Sequence, residues 1–112
     1  ARLLGRPLPA ARCAVLGGGA IGLAVALVLA QAGAGEVWLI EPNPARRETA
    51  ARAGVALTRA PEAAPEDGSC DLVLDAVGAT ATRASACRLT RAGGVIVHAG
   101  LLPGADGLDV RR

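Results

Sequence analysis

From residue 12 to residue 99 one pattern repeats: a short run of bulky or β-branched apolar residues, a glycine or proline stop, then a longer stretch of helical character. Arg12–Leu16 is apolar and closes on glycine, as a buried strand does. Residues 20–32 are almost continuously apolar and long enough for a helix, stopped by Gly33 and Gly35. Residues 37–40 form a second strand, ended by Glu41 and Pro42, and Pro44 opens a helix over 44–53 with Gly54 as its stop. The spacing then predicts a weak third strand at 55–57, a surface loop or broken helix at 59–69 and a fourth strand at 71–76. A helix over 80–91 follows, terminated by the Ala-Gly-Gly of residues 92–94, and a fifth strand at 95–99. Strict alternation requires parallel strands joined by crossover helices. Near-continuous apolar strands agree, because a parallel sheet is covered on both faces. Right-handed crossovers then give a single α/β domain, a doubly wound parallel sheet in strand order 3-2-1-4-5.

Composition removes several functional classes. The 112 residues are 52% hydrophobic and 20% charged, and Trp38 is the only aromatic residue, so the core must be aliphatic. A chain this long buries about two-thirds of its unfolded surface. All 12 basic residues are arginine, and they are scattered except for Arg46-Arg47 and Arg111-Arg112. Nucleic acid would demand a basic stripe or interleaved aromatics, and neither occurs. No apolar run spans a bilayer and no signal-peptide pattern is present, so neither nucleic acid nor membrane is expected as a partner. Cys13, Cys70 and Cys87 are odd in number and widely spaced, which suits buried thiols in a reducing, cytoplasmic compartment better than disulfides or a zinc knuckle. The absence of methionine and the abrupt ends suggest a domain excised from a longer chain.

The glycines between the first strand and first helix carry the chemistry. Gly17, Gly19 and Gly22 make G-x-G-x-x-G, a weak signal alone but stronger at a strand-to-helix corner. Gly17 permits the sharp turn, Gly19 lets a diphosphate approach the backbone, and Gly22 lets the helix pack close to the sheet. The free amides of Ala20 and Ile21 then face the phosphates, where the helix dipole favours negative charge. A tight turn with no ligand is the competing explanation. Glu41 lies about twenty residues on, at the end of the second strand, where a carboxylate accepts hydrogen bonds from both hydroxyls of an adenosine ribose. It would repel a 2′-phosphate, which favours NAD over NADP. Arg46 and Arg47 complicate that preference, since an arginine at the ribose edge can welcome a phosphate; as a pair they also suit the wet face of a helix.

Other chemistry is thin. No Gly-Lys-Ser/Thr follows the glycines, and His98, the only histidine, reads as a satisfied side chain in or beside the core, without a partner motif, and not as a general base. Asp71 and Asp75 read as strand-end polar groups, and neither a catalytic nor a metal residue is assigned.

With these residues placed, "VLGGGAIGLAVALVLAQAGAGEVWLIEPNPARRETAARAG", "CDLVLDAVG" and "RAGGVIVHAGL" resemble the coenzyme-binding (Rossmann) domain of the medium-chain dehydrogenase/reductase family, of the zinc-dependent alcohol, polyol and threonine dehydrogenase type. The likeness runs from Arg12 to about Leu101. It implies that the amides of Ala20 and Ile21 hold the pyrophosphate, that Glu41 binds the adenosine ribose with Arg46 beside it, and that backbone at Val77, Ala99 and Leu101 lies along the nicotinamide. The family commonly has aspartate where this chain has glutamate, which lengthens the reach to the ribose. It also implies a separate GroES-like catalytic domain, carrying the zinc ligands and the proton relay and absent from these residues, and a parent that pairs through an edge strand beyond Leu101 as a homo-oligomer. The small-molecule substrate would be met through that domain. Three expectations follow: the coenzyme domain of an NAD-dependent dehydrogenase; that of a zinc-free quinone or enoyl reductase using NADPH; or a non-catalytic nucleotide-sensing module.

Overall fold

A computed structural model describes residues 2–3, 6–99 and 109–111. A two-residue antiparallel pairing of Arg2–Leu3 with Arg6–Pro7 precedes the main sheet. The sheet strands are β1 (Arg12–Leu16), β2 (Glu36–Ile40), β3 (Leu57–Arg59), β4 (Cys70–Asp75), β5 (Thr90–His98) and β6 (Asp109–Arg111). The helices are α1 (Ala20–Gln31), α2 (Pro44–Ala53) and α3 (Thr80–Leu89). Five strands run parallel in the expected order, β3-β2-β1-β4-β5. Beyond expectation, β6 adds antiparallel to the outer edge of β5, pairing Ile96 with Arg111 and His98 with Asp109.

Alternation along the central strand divides the core between two faces. Val15 of β1 faces a cluster with Leu39, Leu74, Ala26 of α1 and Ala50 of α2. Its neighbours Ala14 and Leu16 face the opposite cluster, with Ile40, Val73 and Ala86 and Leu89 of α3. Helices on both sides of one sheet are what a doubly wound topology requires, since each strand must be covered twice. Trp38 lies half-buried on the α3 face of β2, with the Arg12 and Arg59 guanidinium carbons 5.8 and 6.0 Å from its ring centre and its Nε1–H donated to Glu36.

Several boundaries differ from expectation, most by a single residue, and the larger shifts have local reasons. Val55 is buried, but its N–H closes the end of α2 on the Ala50 carbonyl, so β3 begins at Leu57. The helix expected to reach residue 91 stops at Leu89, where Thr90 Oγ1–H bonds back to the Ala86 carbonyl and the chain turns extended. Residues 92–94 consequently lie inside β5, beside a register shift against Cys70 and Leu72, instead of ending a helix. Of the cysteines, Cys13 and Cys70 are buried as expected, whereas Cys87 on α3 is exposed.

Candidate functional site

The site forms where β1 sends its chain to one face and β4 sends its chain to the other, leaving a crevice at the C-terminal ends of the strands. Two backbone bonds carry the sheet ladder into the crevice: Gly17 N–H to the Ile40 carbonyl and Ala76 N–H to the Leu16 carbonyl. At Gly17 φ is +105°, a left-handed value that disfavours side chains. A Cβ at Gly22 would stand 1.9 Å from the Gly17 carbonyl oxygen, so only glycine lets α1 begin this close to the turn. Gly19 caps the helix, and nothing lies within 4 Å of where its Cβ would be.

The first intrahelical bond of α1 runs from Leu23 N–H to the Gly19 carbonyl. The N–H groups of Ala20, Ile21 and Gly22 therefore have no carbonyl within the helix to meet. They border a hollow of about 470 Å³, lined also by Gly17, Gly19, Arg46, Ala76 and Val77. Ala20 and Ile21 are exposed at its rim. Unpaired amides, the positive end of a helix dipole and open space above Gly19 make a fitting cradle for a diphosphate.

Glu41 stands beside the cradle and is only 4% exposed. One carboxylate oxygen accepts from Gly18 N–H at 2.6 Å and the other from Asn43 N–H at 2.8 Å. The carboxylate thus ties the glycine turn to the β2–α2 turn, and still has lone pairs to offer a hydroxyl. The two neighbouring arginines separate in role. Arg46 reaches within 3.8 Å of the Glu41 carboxylate and lines the crevice, while Arg47 is bound to the backbone carbonyls of Glu41 and Pro42. A second hollow of about 400 Å³ shares Gly17, Arg46 and Val77 with the first and extends between Glu41 and α3, where it meets Thr82, Ser85 and Arg88. Sequence reasoning assigned nothing on α3 to the site. The signal was available, because α3 follows the fourth strand and must border the same crevice.

Val77 packs so closely on the turn that a Cβ at Gly17 would lie 2.8 Å from its Cγ2. Ala99 is buried, its N–H bonded to the Asp75 carbonyl, and it lines neither hollow. Leu101 lies outside the described residues. Asp71 and Asp75 do stand at strand ends, both fully buried. Asp71 accepts from Arg12 N–H and Arg91 Nε–H, and Asp75 from Val77 and Gly78 N–H. His98 is not isolated either, because its Nδ1 lies 3.2 Å from Asp75 Oδ2. Among the described residues no three His, Cys, Asp or Glu side chains gather where they could hold a metal ion, and no helix is long and apolar enough to cross a membrane.

Comparison with known proteins agrees with this geometry. The family model for zinc-binding dehydrogenases matches residues 20–112. A protein described as a zinc-binding dehydrogenase from Sinorhizobium meliloti 1021, solved bound to NADP, is 29% identical over 91% of this chain and 33% of its own, with a TM-score of 0.75. Alcohol dehydrogenase TADH from Thermus sp. ATN1 is 31% identical over 88% of this chain and 32% of its own, with a TM-score of 0.70. Acetophenone reductase from Geotrichum candidum NBRC 4597, solved with NAD, shares the fold at 19% identity over 77% of this chain and 25% of its own, with a TM-score of 0.67. No curated protein matches the chain. The chain thus spans about a third of the length of the dehydrogenase structures it resembles. Its sheet order, its glycine turn and the matched family together establish that this chain belongs to the zinc-binding dehydrogenases, as a coenzyme-binding domain of the medium-chain dehydrogenase/reductase type.

Proposed function

We propose that the chain is the coenzyme-binding part of an NAD-dependent oxidoreductase acting on an alcohol or polyol, or the corresponding ketone or aldehyde. The observation that carries this reading is the unpaired N-terminus of α1 opening on a hollow beside a buried carboxylate. In it, the amides of Ala20, Ile21 and Gly22 hold the diphosphate, Glu41 accepts from the adenosine ribose hydroxyls, and Arg46 covers the ribose edge. Backbone at Val77, Ala99 and Leu101 runs along the nicotinamide, which supplies or takes up the hydride when bound. Polarising the substrate and relaying its proton belong to a separate GroES-like domain with zinc, in a cytoplasmic, homo-oligomeric parent. Two observations support a longer, assembled parent. The matched dehydrogenases are three times this length, and α1 leaves Val28 63% exposed.

A second reading replaces NAD with NADP in a zinc-free reductase. Its coenzyme is favoured by the NADP-bound relative, itself described as a zinc-binding dehydrogenase, and by the exposed Arg46 at 3.8 Å from Glu41. Titration with NADH and NADPH separates the two. Wild type is expected to bind NADH more tightly, and Glu41→Ala to weaken NADH about tenfold while narrowing the preference, as loss of a buried acceptor does. Tighter binding of NADPH by wild type would overturn the NAD assignment.

A further inference from the structure

The Asp75 carboxylate is fully buried and meets three nitrogens. Oδ1 accepts from Val77 N–H at 3.0 Å and Gly78 N–H at 2.8 Å, while Oδ2 faces His98 Nδ1 at 3.2 Å. An ionised carboxylate only accepts, so beside one the imidazole nitrogen is the donor. Asp75 and His98 are direct partners across the β4–β5 pairing, which fixes both side chains relative to the sheet. The two amides on Oδ1 begin the β4–α3 turn, and Val77 in that turn borders both hollows and packs against Gly17. A continuous set of contacts therefore runs from His98 through Asp75 and Val77 to the glycine turn.

We infer that His98 is a positioning residue for the coenzyme. By donating Nδ1–H to Asp75 Oδ2 it holds the carboxylate in the orientation that fixes Val77 and Gly78, and so sets the wall of the crevice opposite α1. This role rests on the coenzyme reading above. Without the imidazole, Oδ2 is left buried with one partner fewer; the carboxylate can then rotate towards other donors and release the two amides. Asparagine, whose side-chain N–H stands near the place of Nδ1–H, retains the donor. Leucine fills similar space without one.

The test compares wild type, His98→Leu and His98→Asn by NADH titration, with amide hydrogen exchange at Val77 and Gly78. His98→Leu is expected to raise the NADH Kd about tenfold and speed exchange at those two amides, with His98→Asn within about twofold of wild type. A folded His98→Leu that binds NADH as wild type does, or a folded His98→Asn as weak as His98→Leu, overturns the role. Because this histidine is the only one in the chain, its ring nitrogens give unambiguous NMR signals in unsubstituted protein. A free protein with hydrogen on Nε2 alone overturns the role without any variant. Wild type that binds neither NADH nor NADPH would refute the coenzyme reading and this role with it, whereas normal wild-type binding with an unaffected His98→Leu refutes the role alone.

Discussion

At the N-terminal ends of the parallel strands, acids meet arginines. Arg12 of β1 bonds Glu36 at 3.1 Å and Glu66 at 2.7 Å, and Arg91 of β5 bonds Asp71 of β4. At the C-terminal ends, the acids chiefly hold turn amides: Glu41 those of Gly18 and Asn43, with Arg46 at 3.8 Å, and Asp75 those of Val77 and Gly78, with His98 at 3.2 Å. One end neutralises its charges internally. The other spends its carboxylates on shaping turns and leaves the first amides of α1 without helical partners. The first arrangement serves folding, and the second, on the proposed coenzyme reading, keeps donors ready for an anion.

Substitutions should separate the two ends. The largest effect is expected from Gly22→Ala, whose Cβ would meet the Gly17 carbonyl. Backbone cannot yield as a side-chain tip does, so stability should fall by about 3 kcal/mol and NADH binding should be lost with it. Thermal melting and titration on one sample would check both. Gly19→Val should divide what Gly22→Ala joins. The backbone there has φ −74°, which any residue adopts, and its Cβ enters open space. Melting should stay within about 0.5 kcal/mol of wild type, as for an uncrowded surface change, while NADH binding weakens on the order of a hundredfold. A Gly19→Val protein that binds NADH normally would show that the diphosphate lies elsewhere.

The smallest effects belong to the opposite end and should appear only at extremes of pH. Arg12, and after it Trp38, holds the Glu36 carboxyl below its ordinary range. A lowered folded value means that this stabilisation is present above the ordinary carboxylate pKa and is lost as pH falls through the folded one. Burial, reinforced by Asp71 and Cys70, pushes the Cys13 thiol up to about 11. A raised value gives the reverse sign: stability is intact below about 9 and declines as pH rises towards 11, because the unfolded thiol ionises first. Chemical denaturation at stepped pH should show both slopes, with the alkaline one reduced in Cys13→Ala. At neutral pH a thiol reagent should label Cys87 alone, as the other two cysteines are buried.

The parallel core and the glycine turn were legible in the sequence because each rests on local spacing. Gly17, Gly19 and Gly22 sit within one corner, and Glu41 is one helix and one strand further on. What escaped prediction depends on residues brought together from far apart. Nothing near His98 announces Asp75, which is 23 residues away and becomes its neighbour only through the β4–β5 register. By spacing alone Arg46 and Arg47 were indistinguishable, and only the family resemblance singled out Arg46; the structure turns Arg46 to the crevice and Arg47 to the backbone of its own turn. The start of β3 moved because Val55 was needed to close a helix, and β5 began early because Thr90 and Arg91 found partners in Ala86 and Asp71. Local propensity says little about either event.

Trp38 on β2, with Arg12 and Arg59 both close to its ring, has an optical consequence. As the chain's only indole it is a solitary light donor, and reduced nicotinamide absorbs where indole emits. Quenching of this one emitter as coenzyme arrives would therefore report proximity along a single strand, with no second fluorophore to subtract.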